Sequence, residues 1–464
     1  MRHLAVSLAV ALAAVPVAHA QTNPQAEAQA LDLLKRGIAF RTVTGPGNQT
    51  FEYATYLKSV LVAGGFAPED VEIEKLGDTA WLAARYRGTG KAAKGAKPLL
   101  ISGHMDVVEA KPADWTRDPF TPVVENGYIF GRGATDMKYD LSTTVATLIQ
   151  LKREGYKPGR DILLLLSGDE ETSMKTTQAL ADKFSDAELL INIDGGGGAR
   201  DESGKPTIFG LQGAEKSYAD YEVTFTNPGG HSSAPRKENA IYSLARALDR
   251  IGAYEWPGQV NEITKASFLA GAKTTSDPKM ADAMRRFAAN PDDLEARALL
   301  RAEPGMIGQT GTTCVATMVN AGHAPNALPQ RATANINCRI FPGTSFAQVN
   351  EILTKIVDDP QVKITTLDAG SVATDASPLR PDLMKTVSDA IHARFADVPV
   401  VPSMSAGASD SMWFRAKGVP SYGASPIFMK DSDGFSHGLN ERTPLSEIAP
   451  SIVYYKRVFK ELTK

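Results

Sequence analysis

Three apolar runs that each stop at a polar, metal-type residue constrain this chain most. Pro98–Ile101 leads into Ser102-Gly103-His104-Met105-Asp106, Asp161–Leu166 into Gly168-Asp169-Glu170-Glu171, and Leu189–Ile193 into Asp194-Gly195. A short continuous apolar run is the mark of a strand buried on both faces of a parallel sheet. Helical patterns separate the runs, chiefly Leu141–Leu151 and Thr176–Phe184. Strand, helix, strand, helix is the α/β pattern, and such sheets collect ligands outside the carboxyl ends of their strands. Two further stretches carry the same residue types, Gly131-Arg132-Gly133-Ala134-Thr135-Asp136 and Ser436-His437-Gly438-Leu439-Asn440-Glu441.

The pattern changes near 215. Ser217–Thr226 alternates as a half-exposed strand, followed by a helix at Asn239–Ile251 and a polar helical stretch over 275–303. Two β-like runs come next, Thr312–Val319 and Arg331–Ile340, then a helix (Phe346–Ile356) and the run Val362–Leu367. Strand–helix–strand–strand–helix–strand is a compact α+β layer. After 369 the earlier style returns. The expected architecture is therefore α/β: a catalytic domain with a mostly parallel central sheet flanked by helices, residues 21–214 and 367–464, interrupted by an inserted α+β lid or dimerisation domain, residues 215–366. A length of 464 residues suits this multidomain reading.

Residues 1–20 stand apart. Arg2 and His3 precede an apolar, Ala-rich stretch, Leu4–Val17, which ends in Ala18-His19-Ala20. This is the pattern of a cleaved secretory signal, so a periplasmic or secreted protein beginning at Gln21 is expected, without a membrane anchor after cleavage. A formal net charge of −3 gives no ground for nucleic-acid binding. Cys314 and Cys338 lie in the two β-like runs, where an antiparallel hairpin would set them opposite each other. Either a disulfide or two buried thiols fits.

The order of the motifs, with Trp115, Asp118-Pro119-Phe120, Gly127 and Asp136-Met137-Lys138 between them, resembles the co-catalytic di-zinc exopeptidases, which include aminoacylases, glutamate carboxypeptidases, carnosine-type dipeptidases and succinyl-diaminopimelate desuccinylases. The resemblance implies that His104, Asp136 and Asp194 hold one zinc and Asp136, Glu171 and His437 the other, with cobalt or manganese as substitutes. It implies that Glu170 is the general base and that Asp106 fixes the ring of His104. It also implies that His231, in Gly229-Gly230-His231-Ser232-Ser233, stabilises an oxyanion, often from a partner subunit. By the same resemblance Asn326, Arg339 and Ser409 contact substrate, and the peptide bond after Asp136 is cis. Tyr139-Asp140 departs from the pattern, which usually has Gly after Asp-x-Lys.

Taken singly, these residues have plainer uses: Asp136 as a helix N-cap, Glu170-Glu171 as a solvated acidic turn, His104 as a core histidine. Taken together they imply an exported, zinc-dependent metallopeptidase acting on dipeptides or peptide C-termini. An N-acyl amino acid deacylase would use the same site. A non-catalytic metal-dependent binding protein is the reading from another class. A homodimer through the inserted domain follows from the expected role of His231.

Overall fold

The computed structural model describes residues 23–89, 95–367 and 370–464; the signal expected at 1–20 lies outside them. A ten-stranded sheet forms the centre. Its middle runs Ile162–Ser167, Leu99–His104, Leu189–Asn192, Ser421–Gly423, all parallel. The hairpin Val71–Leu76 and Thr79–Tyr86 extends one side antiparallel. Pro206–Glu215, Gly197–Arg200, Phe428–Lys430 and Val400–Ser405 extend the other.

Both faces of the middle strands are covered, which is why their sequences are apolar without alternation. Ile162, Leu164, Leu166, Leu99 and Ile101 face one cluster, packed by the helices Pro24–Ala39, Lys138–Arg153 and Ile448–Leu462. Leu163, Leu165, Leu100 and Leu190 face the other, under Lys175–Phe184 and Ser411–Ala416. Lys138–Arg153 is buried along nearly its whole length. Among the described residues no helix is long and apolar enough to cross a membrane.

A separate four-stranded antiparallel sheet has the order Thr313–Ala321, Arg331–Ile340, Ser217–Thr226, Lys363–Leu367. Its apolar positions pack on the helices Ala240–Ala253 and Phe346–Val357. The strand–helix–strand–strand–helix–strand order expected from the sequence is present. Cys314 pairs with Cys338 across the hairpin, and the two form a disulfide.

Two regions differ from expectation. The helical stretch placed at 275–303 begins earlier, as Glu262–Thr274, Pro278–Ala289, Leu294–Arg301 and Pro304–Ile307. Its first helix packs on Val400–Ser405 of the central sheet, with Ile263 against Ala214, Phe341 and Met404. The strands Gly197–Arg200 and Pro206–Glu215 had no signal, because glycines and prolines interrupt their apolar pattern.

Tyr139 and Asp140, the departure from the family pattern, fill interior space. The Tyr139 hydroxyl lies 2.9 Å from Ser451 Oγ. Asp140 accepts hydrogen bonds from Tyr455 and Ser425 at 2.7 and 2.8 Å. Burial raises the Asp140 carboxyl to about 7.

Candidate metal centre

Each candidate ligand sits at the end of an element, and the parallel strands bring those ends together. His104 is the last residue of its strand and is buried. Its Nδ1 lies 3.0 Å from the Asp106 carbonyl oxygen, an acceptor, so in the neutral ring Nδ1 carries the proton and Nε2 keeps the lone pair that a metal would take. Nε2 points into the cluster, 3.2 Å from Asp136 Oδ1 and 3.5 Å from Asp194 Oδ2. On the far side of Asp136, His437 Nε2 lies 3.3 Å from Oδ2 and 3.0 Å from Glu171 Oε2. Asp136 thus stands between two imidazoles, each with a second carboxylate of its own.

The loops are held by acids that touch no imidazole Nε2. Asp106 accepts the backbone N–H of Glu170 through Oδ1 and that of Glu171 through Oδ2, both at 3.1 Å. Its expected role was to fix the His104 ring. In the structure its carbonyl lies 3.0 Å and its carboxylate Oδ1 3.5 Å from His104 Nδ1, and the same carboxylate also holds the Glu170-Glu171 turn. Asp169 completes this turn, accepting from the N–H of Lys175 and Thr176 at 2.9 Å. Glu441, fully buried, accepts from Gly133, Thr135 and Asp136 N–H at 3.0, 2.7 and 2.9 Å, and from Arg132 at 2.8 Å. It orders the loop that carries Asp136, and the Asp136–Met137 bond is cis. Lys138 is buried beneath and donates to the carbonyls of Gly37 and Phe40.

The cluster holds more acid than its imidazoles can balance. Burial, then Asp136, raises the Asp194 carboxyl to about 7. Burial raises Glu170 well above the usual carboxylate range, opposed by His104 and aided by Asp194 and Asp410. Burial also raises Glu171, against its bond to His437. Burial likewise opposes ionisation of Asp136, yet bonds to His104 and His437 hold it low. Burial disfavours the His104 imidazolium, but Asp194, Asp106 and Asp136 outweigh it and raise the ring well above its ordinary value. His437 is raised to about 10 by Asp136 and Glu171. Desolvated carboxylates facing two imidazole nitrogens are the donors a borderline divalent cation takes. Donor atoms of His104, Asp136 and Glu171 all lie within 4.8 Å of one another. These residues therefore fit a metal.

A cleft of about 720 Å³ adjoins the cluster, with Glu170 and Glu171 on one wall and Tyr218, Asp220 and Arg339 of the four-stranded sheet on the other. The Arg339 guanidinium lies over the Tyr218 ring, 4.8 Å from its centre. Three expected residues lie elsewhere. Ser409 is buried, donating to Glu215 at 2.6 Å and accepting from Asn192 at 3.0 Å. It faces the interior rather than the substrate cleft, because burial of Glu215 requires a donor there. His231 is exposed on a two-residue strand paired with Ala327–Leu328, and its Nδ1 lies 2.7 Å from Ser233 Oγ. Asn326 is exposed beside it, its carbonyl accepting from Ser232 N–H. Sequence reasoning gave no role to Glu441 or to Asp410. Asp410 accepts from Ser167, Ser102 and Thr177 under the strand ends, and burial raises it to about 6.

The profile describing Peptidase family M20/M25/M40 matches residues 100–461. The N-fatty-acyl-amino acid synthase/hydrolase PM20D1 of Xenopus tropicalis is 28% identical over 369 residues, 77% of this chain and 71% of that protein. A probable carboxypeptidase S-like 2 of Dictyostelium discoideum is 26% identical over 381 residues, 79% of this chain and 72% of that one. The M20 family metallo-carboxypeptidase Sso-CP2 from Sulfolobus solfataricus shares the fold, with a TM-score of 0.68 at 21% identity over 93% of this chain and 98% of that chain.

Proposed function

The chain belongs to Peptidase family M20/M25/M40, and from that premise we propose that it is a metal-dependent amide hydrolase whose substrates carry a free carboxylate beside the leaving amine. Dipeptides, peptide C-termini and N-acyl amino acids share that group. The carrying observation is the meeting of His104, Asp136, Glu171, Asp194 and His437 at one point, with Glu170 and Arg339 lining the adjoining cleft.

His104, Asp136 and Asp194 would hold one zinc ion and Asp136, Glu171 and His437 a second; cobalt or manganese suits the same donors. Bound there, the metal supplies a Lewis acid and lowers the pKa of water. Glu170 takes the proton of the attacking water and returns it to the leaving amine, a role suited to a carboxyl with a raised pKa. Arg339 pairs with the substrate carboxylate through its planar fork. His231 donates to the developing oxyanion.

His231 reaches the site from a second copy of the chain. Supporting this, the edge strand Thr313–Ala321 exposes Val315, Met318 and Val319, an apolar edge suited to pairing. Export is supported by the leader pattern over 1–20 and by the disulfide Cys314–Cys338, which suits an oxidising compartment. The deacylase form of this reading is favoured by the likeness to PM20D1, whose name describes an N-fatty-acyl-amino acid synthase/hydrolase.

The test compares a dipeptide and an N-acyl amino acid with the same compounds capped as C-terminal amides. Metal-loaded protein should cleave the free acids at least about tenfold faster, Arg339→Ala should erase that preference, and a chelator should stop turnover. Equal cleavage of acids and amides by the wild type, or turnover that survives chelation, would overturn the reading.

A further inference from the structure

A second cavity, about 700 Å³, lies between the central sheet and the helices Glu262–Thr274 and Pro278–Ala289. Thr135 and Gly196 form part of its wall. Thr135 precedes Asp136, and Gly196 lies two residues after Asp194, so one end of the cavity lies beside the loops that carry these two candidate ligands. From there it runs under a lining rich in Ile208, Phe268, Met284, Met306, Ile427 and Met429. None of its described lining residues is ionisable.

Protein interiors are packed nearly as densely as organic crystals, and sizeable dry voids are few. This space is kept open by the choice of small residues on both sides. The floor carries Gly197 and Gly210, and a Cβ on Gly210 would come within 2.9 Å of Ser403, another lining residue. On the roof, Thr264, Ser267 and Gly271 fall at i, i+3 and i+7 of one helix, a single stripe that lines the cavity. A helix burying that face for packing alone would place large apolar residues there. The methionines add walls that adapt to a flexible occupant. The volume falls within the usual range for small-molecule sites.

We propose that this cavity receives the alkyl tail of the substrate's acyl group, so that the enzyme hydrolyses long-chain N-acyl amino acids. The inference rests on the N-acyl amino acid form of the function proposed above. The acyl carbonyl lies at the cluster, the tail lies under Glu262–Thr274, and the carboxylate faces Arg339. Hydrolysis breaks the C–N bond. The water oxygen joins the carbonyl carbon, one water proton passes to the amine, and the products are a fatty acid and a free amino acid.

The experiment is a chain-length series of N-acyl derivatives of one amino acid, from acetyl to palmitoyl, on the metal-loaded protein. Each added methylene should raise kcat/KM by about threefold to fourfold until the cavity is full. Ser267→Phe should reduce the ratio of palmitoyl to acetyl kcat/KM at least about tenfold, and Ser267→Leu should reduce it less. A ratio taken within one protein separates pocket filling from misfolding. A flat wild-type series, with the acetyl compound cleaved, overturns the inference and leaves the amide-hydrolase reading intact. Calorimetry with laurate on metal-free protein stands apart from turnover: saturable binding weakened by Ser267→Phe supports the cavity, and no binding overturns it. Failure to hydrolyse any amide, with laurate still bound, would overturn the proposed function alone.

Discussion

His104 and His231 are both imidazoles set in glycine-containing motifs, and the fold gives them opposite settings. His104 ends a strand in the middle of a covered parallel sheet, with its proton fixed by a carbonyl and its free nitrogen among carboxylates. His231 sits exposed on a two-residue strand paired with Ala327–Leu328, its ring Nδ1 bonded to Ser233 of its own turn. Strand ends in one parallel sheet converge whatever their separation in sequence, so the motifs at 104, 171 and 194 share a site. A motif on a peripheral hairpin has no such guarantee. It acquires a target only through closure or through another copy of the chain.

Glu170→Gln sharpens the first half of that contrast and carries the largest effect. It should lower kcat by about 10²–10⁴ with metal content unchanged, since it removes a proton carrier and no ligand. Turnover measured beside elemental analysis checks this; parallel loss of metal would make Glu170 a ligand instead. His231→Ala probes the second half, with an expected loss of about 10²–10³ in kcat. Mixing the inactive Glu170→Gln and His231→Ala proteins under subunit exchange should restore activity, because one hybrid site would then be complete. No recovery from an exchanging mixture would return His231 to its own chain.

Glu441→Gln should weaken metal affinity by about 10- to 100-fold, by setting an amide against N–H groups that need an acceptor. A competition titration with a chromophoric chelator reads it, and unchanged affinity would reduce Glu441 to a packing role. The smallest expected effect is on stability. The Asp140 carboxyl is raised to about 7 when folded, above its unfolded value. The native state then holds the proton more tightly, and this contribution to stability falls as pH rises from about 4 through 7. Melting temperatures of Asp140→Asn should therefore change less between pH 5 and 8 than those of the wild type. Identical slopes would show that Asp140 does not titrate in that window.

The same contrast explains what could be read from the sequence. The apolar runs ending at His104, Glu170 and Asp194 announced both the sheet and the cluster, since a strand buried on two faces leaves a plain mark. The hairpin pairing that sets Cys314 opposite Cys338 was legible, while the choice between a disulfide and two thiols stayed open until the structure showed the bond. Glu441 was present in its motif without a role, because it serves backbone N–H groups about three hundred residues away in sequence, and such contacts have no local pattern. Ser409 was expected in the cleft; a hydroxyl in a turn carries no sign of which side it faces. The helix Glu262–Thr274, which lies wholly before the expected stretch, was missed because Thr264, Ser267 and Gly271 interrupt its apolar stripe.

The most direct test of the account is metal stoichiometry. Wild-type protein, reconstituted with zinc and freed of excess, should hold about two ions per chain, and Asp136→Ala should lose both, since Asp136 lies between the two imidazoles. A wild type that binds no metal, or an Asp136→Ala variant that keeps two, would contradict the centre described here.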